Sequence, residues 1–375
     1  MIEELVFGWR TAVLTVPIII MASVAIALTQ PLRNRLANRV LGALLIVLIG
    51  MCTPWAIGFA GFYDAFPWLS FAPFANSLAI PVLIYFYLHA LVTGRLPDHA
   101  WRHLAAPLAQ FGYQSICFML PLSLKDSWSD LSADAYQATT SLLFAAMCAG
   151  YGYQGNRLLG RYRESLKETR SDDERFAALW LERALIGTAI LLAIWALFEI
   201  RDWIEPLGYS GLMGLYIAIA TFGTFLAFEG WRHANLPFPH IATKEPSEEP
   251  VTESPNTRER KDWVSLGKDI ARQVSEREIY RDPELSIQQL ARSLGTNQTY
   301  VSRALNEGLG QNFSALINSL RSEHAAREMT KDAAPDLLSI ALEAGFNSKA
   351  SFHRAFRARF EMTPTEYRQA KSQKQ

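Results

Sequence analysis

Seven apolar runs, each about as long as a membrane-spanning helix, occupy the first 230 residues of this chain. A helix needs about 20 mostly apolar residues to cross the hydrocarbon core of a bilayer. Buried helices of a water-soluble protein are the alternative, but seven such runs separated by short polar loops favour a membrane domain. The runs predicted to span are 9–28, 40–60, 71–92, 104–122, 136–155, 184–200 and 212–230.

Lys and Arg residues are distributed unevenly among the loops between these runs. Twelve of them follow the first, third and fifth runs, whereas the loops on the other side carry only Lys125 and Arg201. Cytoplasmic loops carry the excess of positive charge. The distribution therefore predicts a multi-pass protein of the inner (cytoplasmic) membrane, with its N-terminus outside and its C-terminal part in the cytoplasm. Seven spans, an odd number, likewise place the N-terminus and the C-terminal part on opposite sides of the membrane.

Polar side chains interrupt several of these runs. An ionisable group within hydrocarbon is costly and is a candidate functional site. Hydrogen bonding between helices, or placement of the charge at the membrane interface, is the alternative. The residues concerned are Asn76, His89, Gln110, Gln114, Glu199 and Glu229.

The composition changes after residue 234. The segment 235–257 reads NLPFPHIATKEPSEEPVTESPNT, is rich in Pro, Glu, Ser and Thr, and has no apolar periodicity. Such a composition buries too little apolar surface to fold and predicts a flexible linker. The chain is thus predicted to have a transmembrane domain at 1–234, a linker at 235–257 and a second domain at 258–375. The last of these has a net charge of +4.

The second domain is predicted to begin with a helix over 258–280, because Trp263, Leu266, Ile270 and Val274 recur at spacings of three and four. This apolar face has two possible roles. It packs against the part of the domain that follows, or it serves as a face for dimerisation.

The sequence SIQQLARSLGTNQTYVSRALNE, which follows Pro283, is typical of two short helices joined by a tight turn. Ser286 and Gln289 have the spacing of a capping box, and Gly295 is placed to end the first helix and to supply the turn. Thr296 is predicted to cap the second helix. Two short helices joined at such a turn indicate a helix-turn-helix unit.

The same pattern returns fifty residues later in DLLSIALEAGFNSKASFHRAF. Asp336 aligns with Ser286 and Gly345 with Gly295; after one inserted residue, Arg354 aligns with Arg303. A repeat with matching turn glycines and matching arginines is much more specific than one match, and it predicts a second helix-turn-helix unit.

The two units together resemble the C-terminal domain of the AraC/XylS family of transcription regulators. The resemblance covers 282–368, about a quarter of the chain, and is carried above all by IALEAGFNSKASFHRAFRARFEMTPTEYR. It implies an all-α domain in which a long helix, Phe313–Met329, joins the two units. It also implies a transcription regulator that binds double-stranded promoter DNA. Glu361 departs from the family pattern, which usually has Gly before the Thr-Pro element.

A recognition helix reads base edges from its exposed face, mostly near its N-terminal half. Arg pairs bidentately with guanine, so Arg303 and Arg354 are the strongest candidates for base recognition, and the resemblance implies the same two positions. Asn347 is interpreted as a helix N-cap rather than a base contact. The candidate DNA-binding residues are Asn297, Gln298, Thr299, Ser302 and Arg303 in the first unit, and Ser348, Lys349, Ser351, His353, Arg354 and Arg357 in the second.

Other basic residues have less specific roles. Arg357, Arg359 and Arg368 are predicted to contact phosphates or to be merely solvated. Arg321 either contacts DNA or forms an internal ion pair.

Three functions remain open at this point. The first is a membrane-bound transcription regulator whose spans sense a ligand; the second is a transporter-like membrane module with secondary DNA binding; the third is a DNA-binding domain on a passive anchor. An enzyme is not expected, because the sequence has no H-E-x-x-H, G-x-S-x-G or P-loop pattern. No cofactor, catalytic residue or metal is expected, since Cys52, Cys117 and Cys148 lack metal-ligand spacing. The expected partners are promoter DNA, membrane lipid and an unknown sensed ligand, with RNA polymerase and a second copy of the chain as further candidates.

Overall fold

The computed structural model describes residues 5–240, 262–331 and 335–372. Within these ranges all regular elements are helical, and one isolated β-bridge joins Arg170 to Ser286. The predicted all-α class is confirmed. In chain order the α-helices are α1 (Trp9–Ala27), α2 (Arg35–Gly58), α3 (Phe62–Ala65), α4 (Ala79–Thr93), α5 (Ala100–His103), α6 (Ala105–Met119), α7 (Leu122–Thr169), α8 (Asp173–Phe176), α9 (Leu179–Ile204), α10 (Gly208–Gly211), α11 (Met213–His233), α12 (Trp263–Glu276), α13 (Ile287–Ser293), α14 (Gln298–Arg303), α15 (Phe313–Met329), α16 (Leu337–Glu343), α17 (Lys349–Phe360) and α18 (Pro364–Ser372).

The chain divides into two compact units. The first, the apolar unit, comprises Met1–Leu159 and Leu179–Thr243. The second, the C-terminal unit, comprises Lys244–Gln375 together with Gly160–Ala178, a stretch that contains the last turns of α7, the short α8 and the residues up to the start of α9. The domain limits predicted from the sequence did not single out this stretch, and they remain a prediction.

The prediction of seven membrane spans is wrong in its number. Among the described residues, four helices are long and apolar enough to cross a membrane: Trp9–Ala27, Arg35–Gly58, Leu179–Ile204 and the continuous pair α10 and α11, Gly208–His233. The other three runs contribute to helices, but α4 and α6 have only 15 residues each. The run 136–155 lies in the middle of the 48-residue α7, whose two ends are rich in charged residues.

The run 71–92 is shortened at its start for a local reason. Residues 71–78 form turns rather than helix. Pro73 has no backbone N–H to donate to a helix, and the side chain of Asn76 donates instead to the carbonyl of Pro107 on α6, at 3.0 Å. The helix therefore begins only at Ala79.

Small residues allow the helices of the apolar unit to pack closely. A Cβ atom on Gly230 of α11 would lie 2.1 Å from Leu41 of α2, and one on Gly223 would lie 2.4 Å from Met21 of α1. Small residues at such positions are typical of helix packing in membranes, where close backbone approach replaces the hydrophobic driving force.

The predicted linker is described only at its start. Phe238 is buried, and the carbonyl of Leu236 accepts a hydrogen bond from Asn34 at 2.8 Å. Residues 241–257 lie outside the described residues, so the flexible linker remains a prediction.

The C-terminal unit has two hydrophobic cores, one for each helix-turn-helix unit. The first contains Ile270 and Val274 of α12 together with Leu290 and Val301. The apolar face of α12 thus packs on the first helix-turn-helix unit, one of the two roles predicted for it. Residues 258–261, the start of the predicted helix, lie outside the described residues. The second core is built around Ile340, Phe352 and Phe356.

Helix α15 joins the two cores and has the bounds that the family resemblance implies. Its N-terminal half places Phe313 and Ile317 in the first core, and its C-terminal half places Ala325 and Met329 in the second. Because one continuous helix contributes to both cores, the two helix-turn-helix units have a fixed spacing along it.

Glu361, the departure from the family pattern, ends α17 in the left-handed conformation with φ of 58°. We expect Glu361→Gly to raise the free energy of unfolding of the second core by about 0.5–1 kcal/mol, because glycine occupies this region without the steric cost that a Cβ imposes. Hydrogen–deuterium exchange of α16–α18 measures the change. Glu361→Ala is the control, and equal stabilisation by both variants would show that the charge, not the backbone, matters.

Candidate nucleic-acid interface

The two helix-turn-helix units have the same turn geometry. Gly295 and Gly345 both have positive φ, of 67° and 97°. The N–H of Thr296 donates to the carbonyl of Ala291, and that of Phe346 donates to Ala341, both at 2.9 Å. The repeat inferred from the sequence is therefore a repeat of local backbone structure.

The helix caps also match, and they correct the sequence-based assignment by one residue in each unit. Ser286 and Asp336 cap α13 and α16, and the capping box of Ser286 with Gln289 is confirmed. The recognition helices α14 and α17 are capped by Asn297 and Ser348, not by Thr296 and Asn347.

In the first recognition helix, α14, the exposed candidates are Asn297, Gln298 and Thr299. Arg303 is exposed too, but its guanidinium pairs with Glu307 at 2.9 Å and lies 4.5 Å from the ring centre of Trp263 on α12. Arg303 must leave these contacts to reach a base. The half-buried Ser302 hydroxyl accepts a hydrogen bond from the Asn306 amide.

In the second recognition helix, α17, the exposed candidates are Ser348, Lys349, Arg354 and Arg357. Ser351 and His353 are half-buried. The Nε2 atom of His353 is buried and has no hydrogen-bond partner among the described residues. This atom is therefore placed away from solvent, which weakens the case for His353 as a base-reading residue.

Two of the predicted phosphate contacts are engaged within the protein. Arg359 forms an ion pair with Glu323 on α15 at 3.0 Å, and Arg368 donates to the carbonyl of Pro335 at 3.1 Å. Arg359 is exposed and Arg368 is half-buried; both contribute positive charge while they tie α17 and α18 to their neighbours.

Arg321, in the middle of α15, is 1% exposed and does not face DNA. It is not held mainly by an ion pair either: its Nε donates to the carbonyl of Tyr280 at 2.7 Å, and its Nη2 donates to the carbonyl of Asp282 at 2.6 Å. Desolvation lowers the pKa of this guanidinium to about 10, and the neighbouring Asp172, Asp282 and Asp173 act in the opposite direction. The side chain thus remains charged at neutral pH.

The turn at 280–285, which Arg321 holds, also contacts the second helix-turn-helix unit. Arg281 donates to the carbonyl of Glu343 and pairs with its carboxylate, both at 3.2 Å. The Asn347 amide donates to the carbonyl of Pro283 at 2.8 Å. Asn347 therefore fixes one unit to the other, a role that neither sequence interpretation of this residue included.

Sequence analysis also missed a segment, 170–175, that packs against the turn at 280–285 and against α15; we call it the docked segment. In the segment 170–175, the Ser171 N–H and hydroxyl both donate to the carbonyl of Leu285, at 3.1 and 2.9 Å. Arg321 donates to the Ser171 hydroxyl at 3.0 Å, and Ser314 donates to Asp173 at 3.0 Å. No local signal marked this stretch, because it lies more than 100 residues before the helices that it contacts.

A cleft of about 440 Å³ separates the docked segment from the second recognition helix. Asp172 and Asp173 line one side, and Ser348, Ser351 and Arg354 line the other. Two carboxylates therefore lie across a cleft from three of the candidate DNA-binding residues.

Comparison with known proteins agrees with this geometry. A family described as "Helix-turn-helix domain" matches residues 290–370. Similar proteins include uncharacterized HTH-type transcriptional regulators of Staphylococcus aureus strains MSSA476, MW2 and COL, each 34% identical over 91 residues. The match covers 24% of this chain and only 12% of each relative. No solved structure matches the chain.

These similarities place a helix-turn-helix domain in the C-terminal unit, within residues 290–370, and the relatives that share it are named as transcriptional regulators. They reach only the C-terminal unit. The apolar unit is known from its helices alone, which suggest membrane association.

We expect Arg321→Leu to lower the free energy of unfolding of the C-terminal unit by about 3 kcal/mol or more, because it leaves buried carbonyls without their charged donor. Hydrogen exchange of α13 and α16 measures the loss. Arg327→Leu is the matched control, since Arg327 is exposed on the same helix. Equal effects of the two variants would contradict the role of Arg321 as a central donor.

Proposed function

We propose that this chain is a membrane-bound transcription regulator that binds promoter DNA in a sequence-specific manner. The observation that carries the proposal is the pair of helix-turn-helix units with matching turns and caps, joined by one helix. Such units place the N-terminal part of a recognition helix in the major groove. The four apolar helices of membrane length support attachment to a membrane.

In this proposal the two units contribute unequally to base recognition. Arg354 lies on the exposed face of α17 beside Lys349 and Arg357, a basic surface suited to both bases and phosphates. In the first unit Arg303 is engaged with Glu307 and Trp263, so Asn297, Gln298 and Thr299 remain as its exposed polar groups. We therefore assign the larger share of specificity to the second unit.

The proposed orientation places the C-terminal unit in the cytoplasm, where DNA is. The charge distribution further places the loop with Arg33, Arg35 and Arg39 inside. That arrangement requires an odd number of membrane crossings between α2 and α9, where α4, α6 and α7 lie. If only the four membrane-length helices cross the membrane, the same loop lies outside. The number of spans therefore no longer supports the orientation that the charge distribution predicts.

A sensing role for the apolar unit is part of the proposal, and a passive anchor or a transporter-like module is the alternative. The docked segment supports sensing, because the chain between α7 and α9 reaches the helix that joins the two DNA-binding units. A signal acting on those helices has a covalent route to the C-terminal unit besides the linker. RNA polymerase and a second copy of the chain remain candidate partners.

Footprinting with the full-length protein tests the two-unit mode of binding. We expect protection of two adjacent major-groove segments about 34 Å apart on one face of the duplex, since both units are fixed to α15. Protection of a single short segment would contradict this mode of binding.

Substitution of Arg354 separates base recognition from phosphate binding. Arg354→Ala should cost about 1–3 kcal/mol on a selected site and much less on random DNA. Arg354→Lys keeps the charge but loses the bidentate geometry, so it should lose the same preference. Arg359→Ala should weaken both DNAs alike. If Arg354→Lys binds the selected site as the parent does, Arg354 contacts only phosphate.

Reporter fusions distinguish the two possible orientations. The charge distribution predicts that a fusion after Arg39 is cytoplasmic and that one after Asp64 is external. A protein with only the four membrane-length spans would give the reverse at both positions. A fusion after Arg170 should be cytoplasmic in either case, and an external result there would contradict the proposed function.

A further inference from the structure

Five helices of the apolar unit surround a cavity of about 340 Å³ whose lining includes several polar side chains. The size is within the range of small-molecule sites. Its lining includes Trp55 of α2, Gln114 of α6, Tyr136 of α7, Glu199 of α9 and Tyr216 of α11. Gln114 joins α6 to α7 by a hydrogen bond to Tyr136 at 3.0 Å, but an ionisable group such as Glu199 is costly within hydrocarbon and marks a candidate functional site.

The charge of the lining has one sign. It includes the carboxylates of Glu199 and Asp202 and no Lys, Arg or His. Among the described contacts, Glu199 accepts a hydrogen bond from the Gln137 amide at 3.1 Å, and Asp202 accepts one from the N–H of Leu207 at 2.8 Å. Neither contact supplies a positive charge. The cavity therefore favours a cation over an anion or a neutral molecule.

Aromatic rings form much of the remaining wall. Trp55 stacks on Tyr216 with ring centres 3.7 Å apart, and Tyr113 stacks on Tyr136 at 4.7 Å. Ring faces attract ammonium groups, and clusters of such rings recognise organic amines. An organic cation fits this lining better than a metal ion does, since a hard metal ion requires several oxygen ligands around one point.

Some polar atoms of the lining residues have no partner. Within the described part of the chain, Trp55 Nε1, Trp195 Nε1 and Gln114 Oε1 are buried without a hydrogen bond. Buried polar groups are nearly always satisfied. Two unpaired donors and one unpaired acceptor match a molecule that carries an oxygen besides its amine.

We infer that this cavity is a binding site for a small organic amine in its protonated form, held by Glu199 and Asp202 and enclosed by the aromatic rings. Binding itself does not depend on DNA. The role of this amine site as the input of a sensor rests on the proposed function.

The test measures equilibrium binding to the full-length protein in lipid nanodiscs, without DNA. The probes are 3,3-dimethylbutylamine and tyramine, each paired with its uncharged analogue, 3,3-dimethylbutanol and tyrosol. We expect saturable binding of at least one amine, no binding of its analogue, and a loss of affinity of about tenfold or more in Glu199→Gln. Glu205→Gln is the matched control, because Glu205 is exposed and pairs with Arg201 outside the cavity.

The inference is overturned if neither amine binds, if the uncharged analogue binds as well, or if Glu199→Gln leaves binding unchanged. Trp195→Phe provides a second variant that keeps the shape of the lining and removes one unpaired donor. Absence of amine binding would leave the proposed DNA binding intact, because DNA binding is measured separately by footprinting.

A different observation, the docked segment 170–175, carries a second inference, which rests on the proposed function. The docked segment holds Asp172 and Asp173 across the cleft from Ser348, Ser351 and Arg354. Asp172 is buried and pairs with Arg170 at 2.6 Å, so DNA in contact with these residues would bring phosphates toward the carboxylate of Asp173, and like charges repel. We propose that the docked segment lowers the affinity of the C-terminal unit for DNA and that its release raises that affinity.

The contacts of the docked segment suit a reversible switch. Ser171 is buried, and its N–H and hydroxyl donate to the neutral carbonyl of Leu285, in bonds that contribute only about 0.5–1.5 kcal/mol each. Its hydroxyl also accepts one bond from the charged Arg321, which contributes about 1.5–3 kcal/mol. The ion pair of Arg175 with Glu284 is exposed on both sides, where such pairs contribute about 0–1 kcal/mol. A modest input from the helices on either side of the segment is therefore enough to shift the equilibrium.

A reversible cross-link tests this inference in the full-length protein. Arg170 and Ser286 face each other in an isolated antiparallel β-bridge, where Cα atoms lie about 4.5–5.5 Å apart, a separation suited to a disulfide; Arg170→Cys combined with Ser286→Cys should therefore form a disulfide under mild oxidation and leaves Asp173 in place. Cys52, Cys117 and Cys148 are buried in the other unit, and the single variants control for them. We expect the oxidised form to bind a random-sequence duplex of about 40 base pairs about fivefold more weakly than the same sample after reduction.

Equal or tighter binding by the oxidised form overturns the inference, and so does failure of the disulfide to form. If neither form binds DNA, the proposed function itself fails. In a second measurement, Asp173→Asn should tighten binding at low salt, whereas the exposed Glu168→Gln should change it less. An equal effect of the two would show a general charge effect rather than one of the docked segment.

Discussion

The arrangement of the C-terminal unit depends on one buried charge. Arg321 lies midway along α15, between the two hydrophobic cores, and donates to backbone carbonyls of Tyr280 and Asp282. A guanidinium is suited to this position because its planar fork can satisfy several carbonyls at once. The turn that it holds then reaches the second unit through Arg281 and Asn347. The relative position of the two recognition helices is therefore set by a polar centre as well as by the helix that joins them.

The local structure of both helix-turn-helix units could be predicted because its signals are local. Capping residues, turn glycines and apolar spacing act over four or five residues, and they placed α13 and α16 correctly, whereas the bounds of α15 came from the family resemblance. The N-caps of α14 and α17 were predicted one residue too early, at Thr296 and Asn347. Thr, Asn and Ser are similar capping residues, so sequence alone does not decide between neighbours such as Asn347 and Ser348. The turn hydrogen bonds of Thr296 and Phe346 to the preceding helix leave the next residue as the cap.

The long-range parts could not be predicted. No pattern near Ser171 indicates that it accepts a hydrogen bond from Arg321, since the two residues are 150 positions apart. The same applies to the polar cavity: Gln114, Tyr136 and Glu199 were visible as polar residues in apolar runs, but their convergence is a property of helix packing. The number of membrane-length helices was overestimated for a different reason. Hydropathy alone does not show where Pro73 and Asn76 prevent a helix or where a long helix such as α7 continues into charged sequence.

The two connections between the apolar unit and the C-terminal unit have different physical consequences. A flexible linker sets an effective concentration but transmits little orientation. The docked segment, by contrast, is bonded to the helix that carries both cores, so its position is coupled to the surface that faces DNA. Coupling of this kind needs only a difference in free energy between the docked and released states, and here that difference comes from a few hydrogen bonds, one of them donated by Arg321. In the proposed regulator, the predicted linker keeps the C-terminal unit near the membrane, and the segment between α7 and α9 adjusts its affinity for DNA.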